Sequence, residues 1–361
     1  MSLQALEIFA GPRALARIRE QGLRPQDVRV VAGAAGGPKG LILGPLDREL
    51  FGRWLPQGGH TVHLVGASIG AWRMATATMR DPVAGFHRLT HDYLHQHYEP
   101  EPGRSWPSPA GVSRVFERTL HDFFQGEVEA MLSHPRWRLH VVTSRGRHLL
   151  GREGRVRTPL GYLGAALSNA VSRKALGAWL ERVVFSSGDE RLPVDLGDLR
   201  HRRVALNERN FGPALLASCS IPFVLQAVHD IPGAPPGAYW DGGITDYHLH
   251  WNWQGMEGGG LVLYPHFQRA VVPGWLDKAI KRRHRATPWL DNLVLLAPRA
   301  DWVRSLPRGK LPDRDDFKHH GPDLAGRVAA WSEAVRRSEE LAAEWRSWLE
   351  RGAPAHELTP L

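Results

Sequence analysis

Cysteine is nearly absent from this chain of 361 residues, which contains Cys219 and no other. A single cysteine cannot form a disulfide within the chain. The composition therefore excludes a disulfide-stabilised framework and gives no sign of an oxidising compartment. We expect Cys219 to fill a small buried space.

Long apolar runs are absent as well. No stretch approaches the roughly 20 apolar residues that a membrane-spanning helix needs. A secretory signal needs an uninterrupted apolar segment, and charged side chains interrupt the first thirty residues: Glu7, Arg13, Arg17, Arg19, Glu20 and Arg24. We expect an unprocessed, cytoplasmic protein that meets a membrane, if at all, only at its surface.

The sequence does carry an excess of positive charge, +9 at neutral pH, and an ordinary apolar fraction of 42%. Such a length and composition favour a folded protein with a sizeable core rather than a disordered chain. The charge favours anionic partners, which include phospholipid headgroups, nucleic acid and acidic substrates. The charge does not choose among them.

Short apolar runs alternate with helical patterns along most of the chain. Strands are predicted over 28–32, 61–65, 139–143, 182–185, 203–206 and 293–296, and helices over 41–51, 69–79 and 165–180. This alternation predicts an α/β fold with three layers (α/β/α) and a mainly parallel central sheet. In such folds ligands bind beyond the carboxyl ends of the strands.

We predict one α/β domain over residues 1–300 and a helical C-terminal extension over 301–361 that packs on it. A helix over 323–351 would place an apolar stripe on one face, made of Leu324, Val328, Trp331, Val335, Ala342, Trp345 and Leu349. Docking on the domain is the preferred interpretation of this stripe. Because its spacing also suits helix pairing, a homodimer through this helix is the alternative.

Three glycine-containing motifs carry the chemistry. In chain order they are Gly36-Gly37-Pro38-Lys39-Gly40, Gly66-Ala67-Ser68-Ile69-Gly70 and Asp241-Gly242-Gly243. The second follows a predicted strand and precedes an apolar helix. That context is typical of a nucleophile elbow, where a serine sits on a tight bend that side chains on either side would obstruct. The third motif alone predicts only a turn.

The first motif is not a nucleotide-binding loop. A phosphate loop places glycine before its lysine and serine or threonine after it, whereas Lys39 lies between Pro38 and Gly40. The dinucleotide fingerprint Gly-x-Gly-x-x-Gly does not fit the spacing either. Exposed backbone N–H groups at a strand end can instead bind the oxyanion of a tetrahedral intermediate. We prefer that interpretation.

With these motifs in this order, the chain resembles the patatin-like phospholipases, a family of lipid acyl hydrolases. The resemblance covers about residues 28–250, and the block Ala217-Ser218-Cys219-Ser220-Ile221-Pro222 is similar to the family's Ala-Ser-x-x-x-Pro segment. It implies a three-layer patatin-like fold and a Ser-Asp dyad without a catalytic histidine. The nucleophile would then be Ser68 and its base Asp241.

The resemblance also implies that Gly36 and Gly37 supply the oxyanion hole and that Lys39 occupies the family's basic position. One departure is Ala35, where the family usually has a third glycine. The predicted activity is hydrolysis of carboxylic esters of lipids, of the phospholipase A or lipid acyl hydrolase type. It requires no metal and no organic cofactor.

Other interpretations stay open. An α/β-hydrolase would use a Ser-His-Asp triad, and His248, His250 and His266 all follow Asp241. A non-catalytic protein that binds lipid or nucleic acid could share the fold and the charge, although nucleic acid is the less favoured partner.

Two further patterns suggest surfaces rather than a catalytic centre. The spacing of His87, His91 and His95 superficially resembles a zinc-binding face, but no further ligand cluster completes such a site. Segment 275–285 joins Trp275 to a basic cluster. We predict peripheral contact of this segment with an anionic membrane, the alternative being a solvated helix end.

Overall fold

The computed structural model describes residues 4–104 and 107–361. The first three residues of the predicted domain 1–300 lie outside the described residues. The strands are β1 Leu6–Ala10, β2 Val28–Gly33, β3 Val62–Ala67, β4 Trp137–Gly146, β5 Leu180–Ser186, β6 His201–Ala205, β7 Val228–His229, β8 Ala238–Asp241, β9 Leu261–Pro265, β10 Leu293–Pro298 and β11 Thr359–Pro360.

Helices connect most of these strands. They are α1 Pro12–Gln21, α2 Gly44–Glu49, α3 Ile69–Thr76, α4 Pro82–Leu94, α5 Pro109–Phe124, α6 Val128–Leu132, α7 Arg157–Val171, α8 Arg173–Leu176, α9 Glu208–Cys219, α10 Gly243–Asp246, α11 Ala300–Ser305, α12 Asp315–His320, α13 Leu324–Arg337 and α14 Glu339–Glu350. In the part of the chain that the structure describes, no helix combines the length and apolarity needed to cross a bilayer.

The predicted fold class is confirmed, because the strands form one mixed sheet that is mostly parallel. Its order is β11-β1-β10-β9-β2-β3-β4-β5-β6, with β8 attached to β4 and β7 attached to β8. Every residue of β3, β9 and β10 is buried. Strands buried on both faces need a helical layer on each side, which gives the three layers.

The edge of β4 decides where the third motif lies. The first part of β4 pairs in parallel with β3, up to the pair Ala67–Val142. Immediately beyond, Thr143 of β4 pairs with Asp241 of the antiparallel strand β8. Strand β8 thus occupies the edge of β4 just past the point where β3 ends, so Asp241 arrives next to the residue that follows β3.

Helix boundaries depart from the prediction. The helix predicted over 41–51 is α-helical only in α2, Gly44–Glu49, and that predicted over 69–79 ends at Thr76 in α3. The helix predicted over 165–180 is wrong in its bounds, because α7 covers Arg157–Val171 and Leu180 already begins β5. Extended backbone at Ser172 ends α7. The single helix predicted over 323–351 is divided at Ser338, whose side chain donates a hydrogen bond to the Val335 carbonyl at 2.6 Å.

The C-terminal segment packs on the rest of the chain. Trp331, Trp345 and Trp348 are fully buried, and Thr359 and Pro360 pair with β1. The Glu344 carboxylate accepts the backbone N–H groups at the start of β1 at 2.8–3.0 Å. The apolar stripe is therefore largely used within the chain. The domain boundary at 300 and the homodimer stay predictions.

Candidate active site

Ser68 occupies the bend between β3 and α3, and the glycines around it explain the bend. Its φ of 56° is unusual for a residue with a side chain. A Cβ at Gly66 would lie 2.4 Å from the backbone nitrogen of Ala71, and one at Gly70 would lie 2.0 Å from the Gly33 carbonyl oxygen. Only glycine fits at both positions. The close packing holds Ser68 in this strained conformation.

Asp241 lies at the end of β8, opposite this bend. The Ser68 hydroxyl donates a hydrogen bond to Asp241 Oδ2 at 2.7 Å, and the Gly243 N–H donates to Oδ1 at 2.7 Å. A Cβ at Gly242 would lie 2.1 Å from the Val142 carbonyl oxygen, so this turn also needs glycine. Both carboxylate oxygens are thus oriented, one of them towards the hydroxyl.

Burial raises the pKa of Asp241 above its ordinary value of 3.8. Hydrogen bonds from Ser68 and Gly243 and the charges of Arg314 and Lys278 act in the opposite direction but do not cancel the effect of burial. A carboxylate with a raised pKa is a stronger base than one in water. This is the direction that proton removal from a serine requires.

The loop that follows β2 brings backbone donors to the same place. Gly37 has a φ of 58°, and a Cβ at Gly36 would lie 2.4 Å from the ring of Phe267. Within residues 4–104 and 107–361, the N–H groups of Gly36 and Gly37 donate to no protein acceptor, whereas the Ala35 N–H donates to the Tyr247 carbonyl at 2.9 Å. Neither glycine N–H is thus used within the described residues, and of the two residues Gly36 lines the pocket described below.

Ala35 and Gly40 also fit the local packing. A Cβ at Gly243 would lie 2.7 Å from the Ala35 Cβ. The methyl group of Ala35 is accommodated because its neighbour is glycine. A Cβ at Gly40 would lie 3.1 Å from Cγ1 of Ile69, so Gly40 allows the loop to approach α3 closely.

Ser68, Asp241 and Gly36 line one pocket of about 210 Å³. Its other lining residues are Ala35, Lys39, Ile221, Pro222, Gly243, Ile244, Tyr247, Trp275, Lys278, Asp313, Arg314 and Asp315. The volume is below the roughly 300–1,000 Å³ of pockets that enclose a drug-sized ligand. The pocket can hold a reacting ester group but not a complete lipid.

Three cations, Lys39, Lys278 and Arg314, line this pocket. Aromatic rings rather than carboxylates face the two amines: Lys278 Nζ lies 4.1 Å from the centroid of Tyr247, and Lys39 Nζ lies 5.5 Å from that of Phe267. In the described parts of the chain none of the three cations makes a salt bridge, and the carboxylate of the nearby residue 313 is bound by Lys310. The lining also includes the carboxylates of Asp241, Asp313 and Asp315, so the three cations are matched in number but are not held in ion pairs within the described residues.

The cations also perturb one another. Partial burial, together with the charges of Arg314 and Lys39, lowers the pKa of Lys278 to about 8. Burial likewise lowers the pKa of Lys39, and Lys310 and Arg314 act in the same direction. A bound anion would relieve this repulsion.

Two contributions to the site were missed in the sequence. Ser218, noted only as part of a matching block, accepts the Ser68 N–H at 2.9 Å and donates to the Val142 carbonyl at 2.7 Å. Arg314 comes from beyond residue 300, and no local pattern distinguishes it. The block 217–222 was a usable signal for Ser218, because a buried serine needs a partner.

The histidines of the alternative triad lie elsewhere in the hydrogen-bond network. In the described parts of the chain, none of these three histidines forms a hydrogen bond with Ser68 or with Asp241. His248 Nδ1 is 3.0 Å from the Ala270 carbonyl oxygen, His250 bonds to Val271 and Thr287, and His266 Nδ1 accepts an N–H from residue 268. The direct contact between Ser68 and Asp241 leaves no place for a histidine between them.

The histidines of the zinc-like pattern lie on and just beyond α4. His91 and His95 have ring centroids 4.4 Å apart, and His95 Nδ1 lies 2.8 Å from the His91 carbonyl oxygen. Among the residues that the structure describes, no group of three or more histidine, cysteine, aspartate or glutamate side chains is arranged to hold a metal ion. Cys219 is buried.

No family model matches this chain, and no curated protein matches it. Among solved structures, VipD from Legionella pneumophila superposes with a TM-score of 0.37 and 13% sequence identity, over 95% of this chain and 71% of that chain.

Proposed function

We propose that this protein is a serine acyl hydrolase that cleaves carboxylic esters of lipids, of the phospholipase A or lipid acyl hydrolase type. The observation that carries the proposal is the 2.7 Å hydrogen bond from the hydroxyl of Ser68 to Asp241 Oδ2. It lies in a pocket that Gly36 also lines. Ser68 would be the nucleophile, Asp241 its base, and Gly36 and Gly37 the oxyanion hole.

The first half of the reaction forms an acyl-enzyme. Asp241 takes the hydroxyl proton as Ser68 Oγ attacks the ester carbonyl, and the N–H groups of Gly36 and Gly37 bind the oxyanion that forms. Asp241 then returns the proton to the departing alcohol as the carbon–oxygen bond breaks. The alcohol leaves, and the acyl group stays on Ser68.

Water completes the cycle. Asp241 takes a proton from water as its oxygen attacks the acyl carbonyl, and it gives that proton to Ser68 Oγ as the acid is released. The raised pKa of Asp241 supports both proton transfers. A metal ion is not required at any step of this sequence.

The cations of the pocket support an ester that also carries negative charge. Lys39, Lys278 and Arg314 line the same pocket as the proposed nucleophile, and among the described residues none of the three makes a salt bridge. A phosphate group near the scissile ester would compensate them, which favours phospholipids over neutral glycerides. The lipid's chains would lie largely outside the small pocket.

The test is fatty-acid release from defined lipids by the purified full chain. We expect release from phosphatidylglycerol to exceed release from diacylglycerol, and we expect none from Ser68→Ala. Lys278→Ala should lower release from the phospholipid more than release from the neutral ester, because in the described residues Lys278 makes no hydrogen bond to Ser68 or Asp241 and acts on Asp241 through its charge alone. Equal, measurable release by the native protein and Ser68→Ala would contradict the role of Ser68, and no release by either would favour a non-catalytic lipid-binding protein.

A further inference from the structure

The outer face of α7 is apolar and exposed. Five side chains at intervals of three or four residues share it, and their exposed fractions are Val156 70%, Leu160 53%, Leu163 57%, Leu167 62% and Val171 84%. At 1.5 Å per residue, the 15 residues of α7 make a stripe about 22 Å long. Contiguous exposed apolar surface of this kind usually marks a binding surface.

The opposite face of α7 is firmly attached to the protein. Tyr162 and Ala165 are buried there, and the ring centroid of Tyr162 lies 5.8 Å from that of Trp240, the neighbour of Asp241. Asn169 donates to Asp277 Oδ1 at 2.8 Å. The exposed leucines are thus presented by a fixed helix.

The apolar surface continues towards the pocket. Phe223 and Val224 are 54% and 46% exposed, and they directly follow Pro222, which lines the pocket. Phe223 has a φ of 69°, a conformation that is costly for an aromatic residue, and its ring lies 5.9 Å from that of Tyr162. The turn therefore projects an aromatic side chain to the surface between α7 and the pocket.

Basic side chains flank this face at both ends. Beside the start of α7 they are Arg152, Arg155 and Arg157, and after Asp277 they are Lys281, Arg282 and Arg285, all of them exposed. Within the described ranges, none of these six side chains makes a salt bridge. Arg283, which lies between them in the sequence and is not counted in the group, forms an ion pair with Asp277. Because Asp277 also binds Asn169 of α7, the second basic group is fixed next to the helix.

We propose that the outer face of α7, together with Phe223 and Val224, docks the protein on an anionic lipid bilayer, with the basic groups at its two ends contacting the headgroups. The apolar side chains would enter the acyl region, as on an interfacial helix, and the arginines and lysines would neutralise acidic lipids. Membrane binding does not require ester hydrolysis, so it can be tested independently of the proposed activity. It would place the pocket at the bilayer surface.

A second copy of the chain fits this face less well. A stable dimer buries about 800 Å² per partner, more than the side chains of one 15-residue helix stripe provide. A two-fold interface would also bring the basic groups of two copies close together, which is unfavourable. Acidic headgroups offer the opposite charge.

The test measures binding of the full chain, carrying Ser68→Ala to prevent hydrolysis, to vesicles of phosphatidylcholine with and without phosphatidylglycerol. The variant is Leu163→Gln with Leu167→Gln. The matched control is Val83→Gln with Val115→Gln, at exposed valines of α4 and α5. All four side chains are exposed, so both variants should keep the unfolding temperature of the parent.

We expect the leucine variant to lose at least about tenfold in its partition coefficient for the acidic vesicles, and the valine variant less than about twofold. Arg155→Glu with Arg157→Glu should reduce the preference for phosphatidylglycerol, because only the second basic group would then contact the acidic headgroups; an unchanged preference would contradict the role of the first group. Equal partitioning of the leucine and valine variants would overturn the proposal. So would a dimer in light scattering that becomes a monomer in the leucine variant, because the face would then belong to a second copy.

Discussion

Ser218 offers a sharp test of how the bend at Ser68 is held. Ser218 is fully buried, and its hydroxyl accepts the Ser68 N–H at 2.9 Å and donates to the Val142 carbonyl at 2.7 Å. Ser218→Ala removes both bonds at once. A buried polar group without its partner costs about 1–3 kcal/mol, so we expect a loss of about 2–4 kcal/mol in the free energy of unfolding.

The same change should slow the chemistry. With its N–H unpaired, Ser68 is less firmly held opposite Asp241, and loss of such positioning reduces rates by about 10- to 100-fold. The measurements are denaturant unfolding, for stability, and the rate of reaction with a fluorophosphonate, which reports the reactivity of the serine. Both should change in Ser218→Ala.

Ser220→Ala is the matched control. Ser220 is also fully buried, but among the described residues its hydroxyl bonds only to the Leu216 carbonyl of the preceding helix α9, at 2.9 Å. We expect a loss of about 0.5–1.5 kcal/mol in the free energy of unfolding and an unchanged labelling rate. If the two variants lose equal stability and label at the native rate, the assigned role of Ser218 is wrong.

Three further outcomes are expected. Gly70→Ala should destabilise the fold by about 3 kcal/mol or more, measured by denaturant unfolding, because its Cβ would lie 2.0 Å from the Gly33 carbonyl oxygen; native stability would contradict this packing. In a pH profile, kcat/KM should fall towards acid with a midpoint above the usual carboxylate pKa of about 3.9, because protonated Asp241 cannot act as a base and burial raises its pKa. At the alkaline end, KM for an anionic ester should rise above about pH 8, where Lys278 loses its proton. Lys278→Ala should abolish this alkaline rise in KM. His250→Gln should react with fluorophosphonate at a rate within about threefold of the native rate. Complete loss of labelling would instead favour the alternative Ser-His-Asp triad.

The centre of the fold was predictable because its strands are buried on both faces. Such strands produce short apolar runs, and those over 28–32, 61–65 and 293–296 became β2, β3 and β10. Strands β1, β7, β8, β9 and β11 were missed, and β9 was missed although all of it is buried. Strand β8 has four residues, and its place beside β4 is set by long-range pairing rather than by a local pattern.

The bounds of α7 were mispredicted for a related reason. Apolar periodicity marks a buried face, but Leu160, Leu163 and Leu167 face solvent. The spacing of these exposed leucines was therefore not recognised as helical, and the start of α7 at Arg157 was missed.

At the candidate site the glycine motifs were legible because tight turns restrict which residues fit. The proximity of Ser68 and Asp241 came from the family resemblance, since the two are 173 positions apart. Arg314 approaches the glycine loop from the C-terminal segment, and a Cβ at Gly37 would lie 3.3 Å from its Nε. Only tertiary packing brings such a residue to the pocket, so no spacing in the sequence could reveal it.

The most direct measurement of the central claim is covalent labelling with a fluorophosphonate, followed by mass mapping of the adduct. The account predicts a single adduct on Ser68, no labelling of Ser68→Ala, and a rate at least about 100-fold lower in Asp241→Asn, because the base that activates the hydroxyl is gone. An adduct on a different residue, or Asp241→Asn labelling at the native rate, would contradict it.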